Sequence, residues 1–154
     1  MTQARGWSRE TFSLAIALQN LMWGVGGSFL GAMAAGLATM DLFAEPGFFE
    51  RLGARCARLV AGLNEAASDA GVAFCAQHRG GLAGLYMLET PPSNFEQVQS
   101  QDVERFRRFY HLMLDEGVYL PPSPVEAFFF SAAHTDDDID QTIAAAQRAL
   151  IEVA

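Results

Sequence analysis

The chain has 154 residues, 51% of them hydrophobic, which is enough apolar material for one compact domain and too little for two. Eighteen acidic residues against ten basic ones leave a net charge of -8, so a nucleic-acid-binding face, which needs clustered cations, is disfavoured. All ten basic residues are arginines: without a lysine, no side chain offers the ε-amino group that forms a Schiff base with a carbonyl compound. Cys56 and Cys75 lack C-x-x-C spacing and read as small buried thiols of a reduced, cytoplasmic protein.

From Thr11 to Met40 there is not one charged side chain, and Arg5 and Arg9 precede the run, so an export signal or membrane anchor has to be weighed. Gln19, Asn20 and the glycines 24, 26, 27, 31 and 36 interrupt it. The favoured reading is a glycine-rich turn over 24–30 that leads into a small-residue helix, Ala32 to Ala38, packing closely on something outside this stretch.

Pro46-Gly47 is a turn. Beyond it, Phe48, Leu52, Cys56, Leu59, Val60, Leu63 and Ala67 recur at three- and four-residue steps, an amphipathic helix that Gly71 terminates. Val72 to Ala76 and Leu82 to Leu88, separated by Gly80-Gly81, predict a hairpin. Thr90 to Gln101 reads as a surface loop by composition. Asp102 caps a helix with Val103, Phe106, Phe109, Tyr110, Met113 and Leu114 on one face, and Gly117 ends it. Val118-Tyr119-Leu120 is a brief strand, Pro121 to Pro124 a stiff connection, and Ala127 to Ala132 a third strand. Thr135 opens a last helix with Ile139, Ile143, Ala146 and Leu150 as its buried stripe. The predicted fold class is α+β, a small, mostly antiparallel sheet with helices on one face.

Motif chemistry is sparse. His78, His111 and His134 are too far apart along the chain to form a local metal-ligand pair, so no metal site is assigned. Asp136, Asp137, Asp138 and Asp140 lack the offsets of a calcium loop, and a Thr135–Asp138 cap at a helix start explains them better. Ser123 and His134 lack a nucleophile-elbow signature. The Gly24 to Gly27 run has neither the P-loop lysine nor a full G-x-G-x-x-G, so no cofactor-binding residue is assigned. Glu126, between a proline-stiffened loop and Phe128-Phe129-Phe130, is the one candidate site residue. It is either paired or used there, or stands exposed at a strand edge.

Gly117 to Ser123, Glu126-Ala127, Ser131 to Thr135 and Asp138-Ile139-Asp140 together resemble the C-terminal end of the glutamate-1-semialdehyde 2,1-aminomutase family. Ala32 to Thr39, Pro46-Gly47-Phe48 and Asp102 to Phe109 resemble it in the same order, so the likeness runs from Ala32 to the C-terminus. It implies the C-terminal small domain of a fold type I pyridoxal-phosphate enzyme, a cytoplasmic homodimer that converts glutamate 1-semialdehyde to 5-aminolevulinate for tetrapyrrole synthesis. It also implies a catalytic place for Glu126 as a polar wall near cofactor and substrate. Two departures stand out. Val25 occupies the position where the family places a phosphate-binding threonine, and the large domain with the cofactor lysine has no counterpart in residues 1–29. The expectation is a truncated aminomutase, with residues 1–31 an atypical apolar lead-in and 32–154 the aminotransferase-like domain. No pyridoxal phosphate is expected to bind it covalently, and it is inactive without a separate large-domain chain. The alternative is a non-catalytic interaction or dimerisation module, membrane-associated through residues 11–40.

Overall fold

The computed structural model describes residues 9–154, which fall into two units divided after Pro46. The first contains one long helix, α1 (Arg9–Phe43). It runs without a break through positions 24–30, where the sequence predicts a turn. Each glycine there lowers helix propensity by only about 1 kcal/mol, and no proline lies anywhere in the run, so the flanking alanines, leucines and methionines carry the helix across. Leu14, Leu18, Leu21, Met22, Leu37 and Met40 are exposed along it.

The second unit, residues 47–154, holds α2 (Phe48–Ala70), β1 (Cys75–Arg79), β2 (Leu82–Tyr86), α3 (Phe95–Gln99), α4 (Val103–Asp115), β3 (Ala127–Phe129) and α5 (Asp136–Val153). Gly71, left-handed at φ +67°, ends α2, its N–H bonded to the carbonyl of Ser68. A hairpin forms about Gly80-Gly81, with Cys75 opposite Tyr86, Arg79 opposite Leu82 and Gly80 at φ +56° in the turn, but its first strand is Cys75–Arg79, three residues beyond the predicted Val72 to Ala76. β3 joins β2 antiparallel, giving the order β1-β2-β3. This is the α+β architecture expected from the pattern.

Burial follows strand alternation. Ala76, Ala83, Leu85 and Phe130 enter a core shared with Cys56, Leu59 and Leu63 of α2, Phe106, Phe109 and Met113 of α4, and Ile139, Ala146 and Leu150 of α5. Leu82 and Phe129, paired across β2 and β3, point the other way and are exposed. The helix faces predicted for α2 and α5 are those observed, but on α4 Val103 and Leu114 lie at the exposed rim.

Three local expectations are corrected. Val118-Tyr119-Leu120 is no strand, because no neighbouring strand lies alongside to complete its hydrogen bonds. The third strand ends at Phe129, three residues short of Ala132, since the chain turns at Ser131 into the cap of α5. Within the polar stretch 90–101, Gln101 is only 5% exposed. Its amide accepts from the Met87 N–H and donates to the carbonyls of Val98 and Pro124, so a residue of loop composition stitches three segments together.

α2 and α5 meet most closely at Gly62, where a Cβ would come within 2.4 Å of Ile143 Cδ1. Alanine at 62 gains about 1 kcal/mol of helix propensity and loses about 2 kcal/mol to overpacking, a net loss of about 1 kcal/mol by urea unfolding. In an Ile143→Ala background the same substitution becomes stabilising; a gain in the unaltered chain would contradict the close approach.

Candidate functional site

Of the chemistry-bearing residues singled out by sequence, Glu126, His134 and the aspartates of 136–140 lie around β3 and the start of α5. Here the loop Val118 to Pro121, β3 and α5 enclose a cavity of about 300 Å³, walled by Leu59, Leu120, Phe128, Phe130 and Ile139, with His134, Asp138 and Thr142 at its polar side. Four segments build it, α2 contributing Leu59, and no local spacing marks it. Phe128 and Phe130 point into this side because they alternate with Phe129, whose ring is 83% exposed.

His134 packs on Phe130 with ring centroids 4.8 Å apart, and its Nδ1 accepts the Ser131 N–H at 3.2 Å. That acceptor role puts the proton of the neutral ring on Nε2. The backbone carbonyl of His134 accepts from the Arg55 guanidinium, and Arg55 and Arg58 face Asp136 while Arg58 also holds Asp140. The aspartate cluster thus ties α5 to α2 and closes its own helix start. The Thr135 hydroxyl accepts the Asp138 N–H, and the Asp138 carboxylate accepts the Thr135 N–H at 2.7 Å. The Thr135 N–H and, after it, the Thr135 hydroxyl, both donating to the Asp138 carboxylate, hold that carboxyl below the usual carboxylate range.

The structure does not pair Glu126. Its carboxylate is exposed one residue ahead of β3, and among the described residues nothing bonds to it; only its backbone N–H is engaged, by the carbonyl of Ser123. Of the two readings of Glu126, the exposed strand-edge position is the one found. Ser123 and His134 do not meet: the Ser123 hydroxyl accepts the Val125 N–H, while the His134 ring turns to Ser131. His78 and His111 lie apart on β1 and α4, and no group of three or more metal-binding side chains occurs among the described residues. Cys56 and Cys75 are both buried and free, and burial pushes both thiols up, away from the reactive thiolate. The backbone of Gly24 to Gly27 lies within α1.

No family model matches the chain. Its fold is shared with transaminases. A pyridoxal-phosphate-bound transaminase superposes with a TM-score of 0.64 at 19% identity, over 79% of this chain and 27% of that one. An omega-transaminase from Sphaerobacter thermophilus superposes with a TM-score of 0.59 at 20% identity, over 75% of this chain and 26% of its own. In sequence, the chain is 50% identical over 122 residues to the glutamate-1-semialdehyde 2,1-aminomutase of Laribacter hongkongensis (strain HLHK9), across 79% of this chain. It is 50% identical over 117 residues to that of Polaromonas naphthalenivorans (strain CJ2), across 76% of this chain. The chain is thus similar, over more than three quarters of its length, to the C-terminal part of glutamate-1-semialdehyde 2,1-aminomutases. It spans 29% and 26% of the length of these two relatives.

The residues present do not by themselves fit pyridoxal phosphate. Its aldehyde needs an amine, and the sequence has no lysine. Its phosphate needs free donors, yet the cavity is lined by Asp138, and the Arg148 guanidinium of the adjoining cleft is bound by both carboxylate oxygens of Glu116.

The Asp138 cap has a pH signature. Because the folded pKa lies below the unfolded one, its contribution is complete above the ordinary carboxylate range and disappears as pH falls through the folded value. Asp138→Ala is therefore less stable than the unaltered chain at neutral pH, and the difference closes in acid; melting temperatures from pH 7 to pH 2 check this, and a pH-independent gap would refute it.

Proposed function

We propose that this sequence carries the small-domain part of an aminomutase acting on glutamate 1-semialdehyde, and that it makes no 5-aminolevulinate unless a large domain bearing the cofactor lysine is supplied. One observation carries the reading: half of the residues are identical to aminomutases over more than three quarters of this chain. The absence of any lysine supports the second clause, since neither arginine nor histidine replaces an ε-amino group in forming an imine. In this reading residues 32–154 are the aminotransferase-like domain, and Glu126 lines the assembled active site. Its exposed carboxylate, without a bonding partner among the described residues, is available to be covered by a companion domain and to orient the substrate's polar groups. A cytoplasmic, homodimeric assembly for tetrapyrrole synthesis goes with the same reading.

A second reading rests on α1. Its leucines and methionines are exposed along much of its length, which suits an interaction module rather than a catalyst. No helix among the described residues is long and apolar enough to cross a membrane. Sedimentation with and without lipid vesicles separates this reading from the first, and a lipid-independent monomer removes its membrane version.

Complementation tests the main reading. Co-expression with an aminomutase large domain lacking its own C-terminal part restores 5-aminolevulinate formation, and Glu126→Ala in this chain lowers that rate by about tenfold or more. No product from the mixture overturns the working-half reading; full activity with Glu126→Ala overturns only the role of Glu126.

A further inference from the structure

The β2–β3 ladder opens where Glu126 stands. The Phe130 N–H donates to the Gly81 carbonyl at 2.7 Å, and Leu82, Ala83 and Gly84 pair with Phe129, Phe128 and Ala127. Carried on in that register, the next hydrogen-bonded pairs would be Leu85 with Glu126 and Met87 with Pro124. The observed pairing stops at Ala127. The Glu126 N–H turns back to the Ser123 carbonyl at 3.2 Å, and Pro124 has no N–H to give. Where a Met87–Pro124 bond would run lies the Gln101 side chain: its Oε1 accepts the Met87 N–H at 3.2 Å, and its Nε2 donates to the Pro124 carbonyl at 2.8 Å. Gln101 is buried, and its Nε2 also donates to the Val98 carbonyl at 2.7 Å. Turned over, the amide would set nitrogen against an N–H and oxygen against two carbonyls, so only this orientation satisfies all three partners.

We propose that Gln101 is the positioning residue for Glu126. Its amide is a spacer, inserted in the ladder in place of a backbone bond, that holds the two strands apart at Met87 and Pro124. The turn from Ser123 to Glu126, and with it the Glu126 carboxylate, is thereby kept out of the sheet. The turn has little else to fix it. Prolines 121, 122 and 124 donate nothing, and the Val125 and Glu126 N–H groups both bond to Ser123 within the same turn. Among the described residues, the Gln101–Pro124 bond is the one hydrogen bond that ties residues 121–126 to a distant segment. The consequence for a reaction rests on the aminomutase reading, whereas the placement of the turn does not.

The test is backbone NMR on the full chain, followed by kinetics on the assembly complemented with a large domain. Gln101→Leu keeps the bulk and removes the amide. Order parameters at Val125 and Glu126 are expected to fall from a rigid value of about 0.85 to below about 0.6. Exchange of the Met87 N–H quickens about tenfold or more, while the amides of α5 keep their protection. Gln101→Glu serves if that variant does not fold: ionised at neutral pH, it still accepts from Met87 but has no proton for Pro124, so Met87 stays protected and the turn alone loosens. A turn already mobile in the unaltered chain, or one as rigid as before in a folded variant, would overturn the proposal. In the assembly, Gln101→Leu is expected to lower kcat about tenfold, and to lower it no further once Glu126 is replaced by alanine. An undiminished kcat, or an equal loss with and without the Glu126 carboxylate, overturns the effect through Glu126. If the unaltered chain yields no product in the assembly, it is the aminomutase reading that fails, and the NMR comparison still decides the placement.

Discussion

The contact on which the second unit depends is that of α2 with α5 at Gly62, where the absence of a side chain lets Ile143 reach the opposing backbone. A close approach there draws two helices into one layer over β1 and β2, and the core of Cys56, Leu63, Phe109, Ile139 and Leu150 fills beneath them. Apolar burial of this kind supplies the main driving force, and the Arg55 and Arg58 pairs with Asp136 and Asp140 fix how the helix ends sit. Those ion pairs are exposed and add little energy of their own. Their effect is positional: α5 begins where β3 ends, so His134 and Asp138 fall beside the Phe128 and Phe130 rings.

With helices on one face, the sheet is left with an open face and two edges. Asn64 closes one edge by satisfying both groups of Ala76, while the other carries outward backbone groups next to an exposed phenyl ring. Leu82 and Phe129, paired across β2 and β3, leave apolar side chains exposed on the face turned from the core.

What was legible in the sequence was what is encoded locally. The α2 stripe, its Gly71 stop, the Gly80-Gly81 turn, the Asp102 cap and the Thr135–Asp138 capping box each depend on residues within a few positions of one another and form as read, while the first hairpin strand begins three residues later than its composition suggested. The misreadings share a different cause. Val118 to Leu120 has strand composition, but a strand exists only where a neighbour pairs with it. Gln101 looks like a loop residue until Met87 and Pro124, from distant segments, meet its amide. The glycines of 24–30 suggest a turn, yet their cost is spread along a helix long enough to absorb it. Glu126 stands in an apolar stretch whose side chains alternate between core and solvent, so apolar neighbours in sequence did not mean burial in space. The cavity beside β3 had no sequence signal, being assembled from α2, α5 and the 118–121 loop.

The kinship with aminomutases rests on half-identity over most of the chain, and the missing chemistry rests on a single absent residue type. With no lysine, no side chain of this sequence supplies the amine that grips the coenzyme's aldehyde. The most direct measurement is 5-aminolevulinate release when the purified chain alone is given pyridoxal phosphate and glutamate 1-semialdehyde. The rate is predicted to equal that of the protein-free blank. Product formed in proportion to this chain, with no other protein in the vessel, would contradict the account.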